Sequence, residues 1–323
     1  MNFPLHNTAH IKRAVNGVLL FDKPCGLTSN AALQKVKRLF QAAKAGHTGT
    51  LDPLATGLLP VCFGEATKFS QALLDAGKAY HALIKLGQTT TTGDAEGEII
   101  AAREAALSLP QVKAALRNFT GNISQIPPMH SALKHQGRPL YALARAGQRV
   151  ERAARQIEIT SLYLDAFAGD ELALTVHCSK GTYIRVLAED IGEFLGCGAH
   201  LQALRRLEVG PFALKHALTL DQLESMNLLE RDAALLPVDA LLRALPEIFL
   251  DEAAAAHFLR GREVLCQASD SAGNVRIYNL NQQFIGVGQI TSEGRLRPKR
   301  VLANGALQRP EMKSGALNQL SKD

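Results

Sequence analysis

The sequence lacks the features that mark several large classes of protein. Its five cysteines are isolated and form no C-x-x-C pair, which argues against a disulfide framework and against a zinc site. The longest apolar runs, at 17–21 and 58–61, are far shorter than the roughly 20 residues of a membrane-spanning helix. The N-terminus has no charged segment followed by an apolar one, so we expect a cytoplasmic protein without a membrane anchor.

Cofactor motifs are also missing. No segment fits the phosphate-binding pattern G-x-x-x-x-G-K-[ST], and the ten histidines form no H-E-x-x-H pair. The segment GDAEGE at 93–98 is too short for a calcium loop. We therefore expect neither a metal ion nor a nucleotide cofactor.

The composition that remains is that of a folded chain with an excess of cations. The 323 residues are 46% hydrophobic and 20% charged, which is typical of a globular protein with room for one large domain and a small one. The formal net charge is +6. This excess favours a polyanionic partner, although it does not identify one.

Strand and helix patterns follow each other irregularly in the large domain, which we place at 1–247. Helical spacing of apolar residues predicts one helix with Thr28 or Ser29 as its N-cap and another that starts near Thr182. Alternating apolar residues bounded by turn residues predict strands at 17–23, 78–88 and 171–179. This mixture predicts an α+β fold, in which helices flank a mixed, largely antiparallel sheet.

The pattern changes near residue 248. Short strands separated by turn residues indicate a small β-domain at 248–303. Its predicted strands lie at 263–267, 274–280 and 283–290. Residues 304–323 are polar and lack periodicity, which predicts a disordered tail.

A basic insertion interrupts the large domain at about 126–157. Its single acid is Glu151, against the cations Lys134, Arg138, Arg145, Arg149, Arg152 and Arg155. The stretch is either a solvated, partly helical surface or a surface that contacts nucleic acid. The one-sided charge favours the second interpretation.

Asp52 is the only acid in the segment GHTGTLDPLATGLLP at 46–60. An Asp before Pro suits a turn and often only caps the next helix. The surrounding leucines would however take this carboxylate out of water, so that it would need hydrogen bonds or a cation. Arg185, in the first turn of the helix predicted near Thr182, faces the positive end of the helix dipole, at a cost of about 0.3–1 kcal/mol. Either Asp52 or a phosphate would offset that cost.

Four segments resemble the TruB family of pseudouridine synthases, the bacterial enzymes that act on uridine 55 of tRNA. They occur in family order and span most of residues 16–215. They read NGVLLFDKPCGLTSN, AGHTGTLDPLATGLLPVCFGEATKF, HCSKGTYIRVLAEDIG and LGCGAHLQALRRLEVGPF. The C-terminal β-segment resembles, more loosely, the PUA-type RNA-binding module of these enzymes.

The resemblance implies isomerisation of one uridine in the tRNA T-loop, by base flipping and without a cofactor. It implies that Asp52 is the catalytic aspartate, that Arg185 pairs with it, and that Tyr80 stacks on the flipped base. It implies that Tyr183 and Leu204 line the pocket. It also implies that His47 fills the gap that the flipped base leaves in the stack. It makes the insertion an RNA clamp, with Lys134, Arg138 and Arg145 as RNA contacts.

The implied partner is the T-stem-loop of tRNA, with no protein partner and a monomeric state. Two other interpretations of the sequence stay open. One is a non-catalytic RNA-binding or RNA-folding protein with the same surface, and the other is a synthase for a different RNA. Without the resemblance, Tyr80 and Leu204 would be read as ordinary core residues and His47 as a structural histidine.

Overall fold

The computed structural model describes residues 12–131, 133–148, 150–265 and 273–303. The predicted tail at 304–323, together with Arg149 and Cys266, lies outside the described residues. No helix in the described ranges is long and apolar enough to cross a membrane.

Eighteen strands are numbered here in chain order over the described residues. They are β1 (Gly17–Lys23), β2 (Ala45–His47), β3 (Thr56–Phe63), β4 (Lys78–Leu86), β5 (Gln88–Thr90), β6 (Ile99–Ala102), β7 (Gly121–Gln125), β8 (Lys134–His135), β9 (Arg138–Pro139), β10 (Arg155–Ala168), β11 (Glu171–Cys178), β12 (Ala199–Val209), β13 (Phe212–Ala213), β14 (Glu247–Leu250), β15 (Val264–Leu265), β16 (Gly273–Asn279), β17 (Phe284–Ile290) and β18 (Arg295–Val301).

The helices are shorter and lie between the strands. They are α1 (Ser29–Leu39), α2 (Gln71–Leu74), α3 (Leu109–Asn118), α4 (Leu140–Arg145), α5 (Ile184–Phe194), α6 (Leu220–Ser225), α7 (Leu228–Ala233) and α8 (Glu252–Leu259). Short 3-10 helices occupy Gly64–Phe69, Leu214–His216 and Val238–Leu242.

One large sheet carries the first part of the chain. Its order is β1–β3–β12–β4–β11–β10–β7, with β2 added to β3 and β13 added to β12. Its pairings are antiparallel apart from that of β3 with β12, which is parallel. The predicted α+β fold with a mixed, largely antiparallel sheet and flanking helices is therefore confirmed.

Local chemistry explains where the two predicted helices begin. The backbone N–H of Ala31 donates to the Thr28 hydroxyl at 3.1 Å, so Thr28 caps α1 as predicted. The second helix begins at Ile184 instead of near Thr182. The Thr182 hydroxyl closes a turn by donating to the Ser179 carbonyl at 3.0 Å, which keeps Thr182 outside the helix.

A second sheet forms the C-terminal part, in the order β14–β16–β17–β18–β15. Part of its apolar surface packs in a core of its own. Another part joins an apolar cluster with the first sheet, in which Tyr278 and Phe284 pack with Val18 and Leu58. The two sheets are thus connected through a shared core.

The basic insertion connects two neighbouring strands. It leaves the large sheet after Gln125 in β7 and returns at Arg155 in β10, and these two residues are register partners. Between them lie the β8–β9 hairpin and α4. Its base is therefore fixed to the sheet edge, while β8 and β9 form a separate two-stranded sheet.

Candidate active site

A cleft of about 250 Å³ brings several of the predicted residues together. Its lining includes Asp52, Tyr80, Tyr183, Arg185, Leu204 and Arg206. All of these except Arg206 are predicted from the sequence. His47 and those cations of the insertion that the structure describes do not line this cleft.

Asp52 lies in a turn that is held on two sides. The Ser29 hydroxyl at the start of α1 accepts from the Leu51 N–H at 2.7 Å and donates to the Leu51 carbonyl at 2.9 Å. The fully buried Lys23 ammonium donates to the Pro53 carbonyl at 3.4 Å, and burial lowers the pKa of Lys23 to about 8. The chain continues into strand β3, so Asp52 does not cap a following helix.

Arg185 meets the Asp52 carboxylate inside the cleft. Its Nε lies 3.1 Å from Asp52 Oδ2 and 3.6 Å from Asp94 Oδ2. The Arg185 side chain is 5% exposed, whereas that of Asp52 is 41% exposed. The guanidinium also donates to the carbonyls of Thr92 at 3.0 Å and His130 at 2.7 Å. The cation is therefore fixed from four directions, while the carboxylate still faces the open cleft.

Asp94 is a site residue that the sequence does not single out. It is buried, and its Oδ1 accepts from the Thr92 hydroxyl at 2.5 Å and from the Glu96 N–H at 3.1 Å. Burial raises the pKa of Asp52 although Arg185 pulls it down, and the charge of Asp94 adds to the rise. The site thus holds two carboxylates on one guanidinium, and only one of them reaches the cleft.

The opposite wall of the cleft is built from strands β4 and β12. Tyr80 and Arg206 are register partners on these strands, so their side chains share a face of the sheet. Leu204, two residues before Arg206, lies on the same face. Burial raises the pKa of the Tyr80 phenol although Arg206 pulls it down. This wall therefore presents an aromatic ring and an apolar side chain to the cleft.

Tyr183 is held by a neighbour from strand β7. Its backbone N–H donates to Gln125 Oε1 at 3.1 Å, and Gln125 Nε2 donates to its carbonyl at 3.3 Å. The phenol is half-buried, which raises its pKa. Tyr183 is therefore an ordered part of the cleft wall at the start of α5.

His47 lies on β2, three residues before the cleft-lining Thr50. Burial lowers the pKa of His47, and the charge of Arg206 adds to this, so the ring is neutral near neutral pH. Its Nδ1 has no hydrogen-bond partner among the described residues.

The insertion has two parts with different surroundings. At its base, His130 and Ser131 line the cleft. Farther out, Lys134 and Arg138 are exposed on the β8–β9 hairpin, and the Arg145 guanidinium lies 5.7 Å from the ring centre of Tyr141 on α4. The predicted RNA contacts thus lie on the β8–β9 hairpin and on α4, outside the large sheet.

Three family models match the chain in succession. They are described as TruB family pseudouridylate synthase (N terminal domain) at residues 37–184, tRNA pseudouridylate synthase B C-terminal domain at 185–243, and Pseudouridine synthase II TruB, C-terminal at 246–302.

Full-length relatives give the same result. The chain is 55% identical over 301 residues to tRNA pseudouridine synthase B of Burkholderia mallei, covering 91% of this chain and 99% of that one. It is 53% identical over 292 residues to the protein of that name from Methylobacillus flagellatus, covering 90% and 97%.

Two solved structures share the fold. One is an H/ACA RNP bound to a substrate RNA containing 2′-deoxyuridine, with a TM-score of 0.67 and 25% identity over 90% of this chain and 87% of that one. The other is a Cbf5–Nop10–Gar1 complex, with a TM-score of 0.66 and 28% identity over 88% and 84%.

Proposed function

The chain belongs to the TruB family of pseudouridine synthases, and on that premise we propose that it converts uridine 55 in the T-loop of tRNA to pseudouridine. One observation supports this most directly: the half-exposed Asp52 carboxylate and its buried partner Arg185 share a cleft with Tyr80. The relatives named tRNA pseudouridine synthase B support tRNA as the substrate.

The reaction is an isomerisation, so its atoms balance within the nucleotide. The N1–C1′ bond breaks, the base turns, and a C5–C1′ bond forms while the C5 proton is lost and N1 gains one. Asp52 acts on the sugar, either by attacking C1′ or by taking a proton from the ribose. Both routes need the ionised carboxylate, which Arg185 favours by its charge.

The target base must leave the stack of the T-loop before Asp52 can reach its sugar. We assign Tyr80 as the aromatic face that receives the base, a contact worth roughly 1–3 kcal/mol. Tyr183 and Leu204 complete the pocket, and their positions in the cleft lining are consistent with this. His47, close to the cleft rim, is assigned to the place that the flipped base vacates.

The RNA is gripped outside the cleft in this proposal. Lys134, Arg138 and Arg145 contact the phosphates of the T-stem-loop, because recognition of folded RNA relies on backbone and shape. The residues 1–247 form the catalytic domain and 248–303 a PUA-like RNA-binding domain. We propose a monomer that acts on tRNA in the cytoplasm without a protein partner, unlike the relative solved with Nop10 and Gar1.

The test is pseudouridine formation in a tRNA transcript under single-turnover conditions, comparing wild type with Asp52→Asn. We expect conversion by wild type, none of a transcript with cytidine at the target, and none by the variant, which should still bind the RNA. The matched control is Asp221→Asn, an exposed carboxylate in the first turn of α6.

Conversion that survives Asp52→Asn would overturn the assigned role of Asp52. A wild-type protein that binds tRNA tightly but converts no uridine would favour an RNA-folding role. Conversion of another RNA but not of tRNA would favour a synthase with a different target.

A further inference from the structure

Arg206 lines the cleft, but the proposed function gives this residue no role. On the large sheet it lies between Tyr80 of β4 and Gly57 of β3, its register partners on the two neighbouring strands. A Cβ at Gly57 would lie 2.3 Å from the Arg206 carbonyl oxygen, so only glycine allows β3 to approach this closely. The tight strand pairing holds the Arg206 backbone beside Tyr80.

The Arg206 guanidinium is buried and has no acidic partner among the described residues. Its Nε donates to the Leu58 carbonyl at 2.7 Å and its Nη2 to the Gly49 carbonyl at 3.1 Å, and the residue is 1% exposed. The ion pairs found in the described part of the chain do not include Arg206. Burial lowers the pKa of Arg206, yet an arginine side chain keeps its proton in proteins. The cleft wall therefore contains a net positive charge.

A second cation lies on the same wall. Lys78, two residues before Tyr80 on β4, also lines the cleft, and its Nζ donates to the carbonyls of Leu73, Leu74 and Ala76 at 3.2, 2.9 and 2.5 Å. Burial lowers the pKa of Lys78 to about 8, and the charge of Arg206 adds to the lowering. Two cations on one wall of a cleft favour an anion bound at that wall.

The proposed reaction produces such an anion. When the N1–C1′ bond breaks, its electron pair leaves with the base, and the ribose is stabilised by Asp52. The detached uracil stays anionic until C5 bonds to C1′, and the C5 proton is then replaced by one at N1. We propose that the positive charge of Arg206 stabilises this uracil anion where it lies against Tyr80. The inference rests on the proposed function, because it needs the base in this cleft.

A backbone phosphate fits this place less well than a base. Arg206 is 1% exposed and its Nη2 donates to the Gly49 carbonyl, so a hydrated phosphate would have to displace the Gly49 turn to bond its guanidinium. A base stacked on Tyr80 would lie beside Arg206 on the sheet, because the two residues are register partners, and it needs no direct bond to the guanidinium. Water screens the charge of a buried cation less than that of an exposed one, so the charge acts on the base without direct contact.

The experiment compares two adjacent arginines that face opposite sides of β12. Arg206→Gln removes the buried charge, whereas the matched control Arg205→Gln removes a guanidinium that pairs with Asp22 at 2.6 Å and is 42% exposed. Each variant converts a tRNA transcript with uridine or 5-fluorouridine at the target, and cleavage of the N1–C1′ bond is measured in a single turnover. Fluorine at C5 stabilises the uracil anion by itself, so it replaces part of the effect of Arg206.

We expect Arg206→Gln to lose about 100-fold in the cleavage rate with uridine, and at most about 10-fold with 5-fluorouridine. RNA binding should change less than about 2-fold, and Arg205→Gln should keep the wild-type rate with both bases. A purely structural role of Arg206 would lower both rates by the same factor. Equal losses, or no loss, would overturn the inference.

Arg206→Lys carries the test if Arg206→Gln does not fold, because it keeps the charge without the guanidinium contacts. It should therefore keep the wild-type rate within about 10-fold with both bases. A loss of about 100-fold with uridine in this variant, with RNA binding retained, would overturn the inference. Wild-type protein that converts no tRNA uridine would instead refute the proposed function.

Discussion

The two buried arginines of the cleft have opposite electrostatic surroundings. Arg185 lies against the carboxylates of Asp52 and Asp94, so two negative charges oppose its positive charge. Arg206, on the other wall, donates to the carbonyl oxygens of Leu58 and Gly49 and lies beside Tyr80 on the sheet. An arginine in this cleft therefore has an electrostatic effect that depends on the groups around it as well as on its own charge. In the proposed reaction, the Arg185 wall holds the carboxylate that acts on the sugar, and the Arg206 wall provides a positive charge for the base.

The largest loss of stability and activity should follow from removing Arg185, the arginine that is paired with two carboxylates. Arg185→Gln leaves the buried Asp94 carboxylate beside Asp52 with no cation between them. We expect the free energy of unfolding to fall by about 3–5 kcal/mol, as for other broken buried ion pairs, and conversion to fall by about 1000-fold or more. Urea unfolding and single-turnover conversion measure the two losses.

Arg205→Gln is the matched control for stability, since its half-exposed ion pair with Asp22 should contribute about 1 kcal/mol or less. If both variants lost the same stability, the buried ion pair would contribute no more to stability than the exposed one, contrary to this prediction.

A smaller effect should follow from replacing Gly57, the glycine of β3 that lies against the Arg206 backbone. In Gly57→Ala the new Cβ would clash with the Arg206 backbone, at a residue whose φ is +100°. Overpacking and left-handed backbone together should cost about 2–4 kcal/mol in the free energy of unfolding. Gly121→Ala is the control, because Gly121 has a φ of +92° but no atom within 4 Å of its Cβ position.

Thermal or urea unfolding of both glycine variants separates backbone strain from the close approach of the strands. Gly121→Ala should cost only about 1–2 kcal/mol. Equal losses in the free energy of unfolding at the two positions would show that the close approach of β3 and β12 adds nothing to the cost.

The smallest effect is a shift in the pH dependence of conversion. The proposed mechanism needs an ionised Asp52, so we expect activity to fall as the pH drops through the pKa of Asp52. The charge of Asp94 raises that pKa, and Asp94→Asn should therefore move the acidic limb to lower pH, by about one unit or less. The exposed Glu98, which is four residues away, provides the control variant Glu98→Gln. A limb that moves to higher pH would mean that Arg185 leaves Asp52 when Asp94 loses its charge.

The Arg185 wall is partly predictable because local rules apply there. A cation in the first turn of a helix needs an anion, and a carboxylate among leucines needs a cation. These two requirements make Asp52 one candidate partner of Arg185, beside a phosphate, and the family resemblance favours Asp52. The fold brings the two side chains together. The strands at 78–86 and 171–178 are predictable for a similar reason, since one buried face gives a period of two.

The rest of the site depends on long-range pairing. Asp94 lies in a polar stretch that reads as a solvent-exposed turn, but its pairing with Leu201 of β12 and its contact with Arg185 of α5 place it in the interior. Arg205 and Arg206 are neighbours in one strand, and the sequence does not tell which of them faces the cleft. Strand β3 escapes prediction because it is apolar on both faces and contains Pro60. Its pairing with β12 nevertheless determines where Arg206 lies.

The apolar cluster shared by the two sheets limits how the chain can diverge. Tyr278 and Phe284 of the C-terminal sheet pack with Leu58, which lies in the same strand as Gly57, the residue that brings β3 against Arg206. A C-terminal module exchanged for one from another protein would need to bring a matching apolar surface. Without it, the strand beside the reactive cleft would lose its support. Evolution of RNA preference in the C-terminal part is therefore constrained to the surface away from this core, and the two parts of the gene must change together.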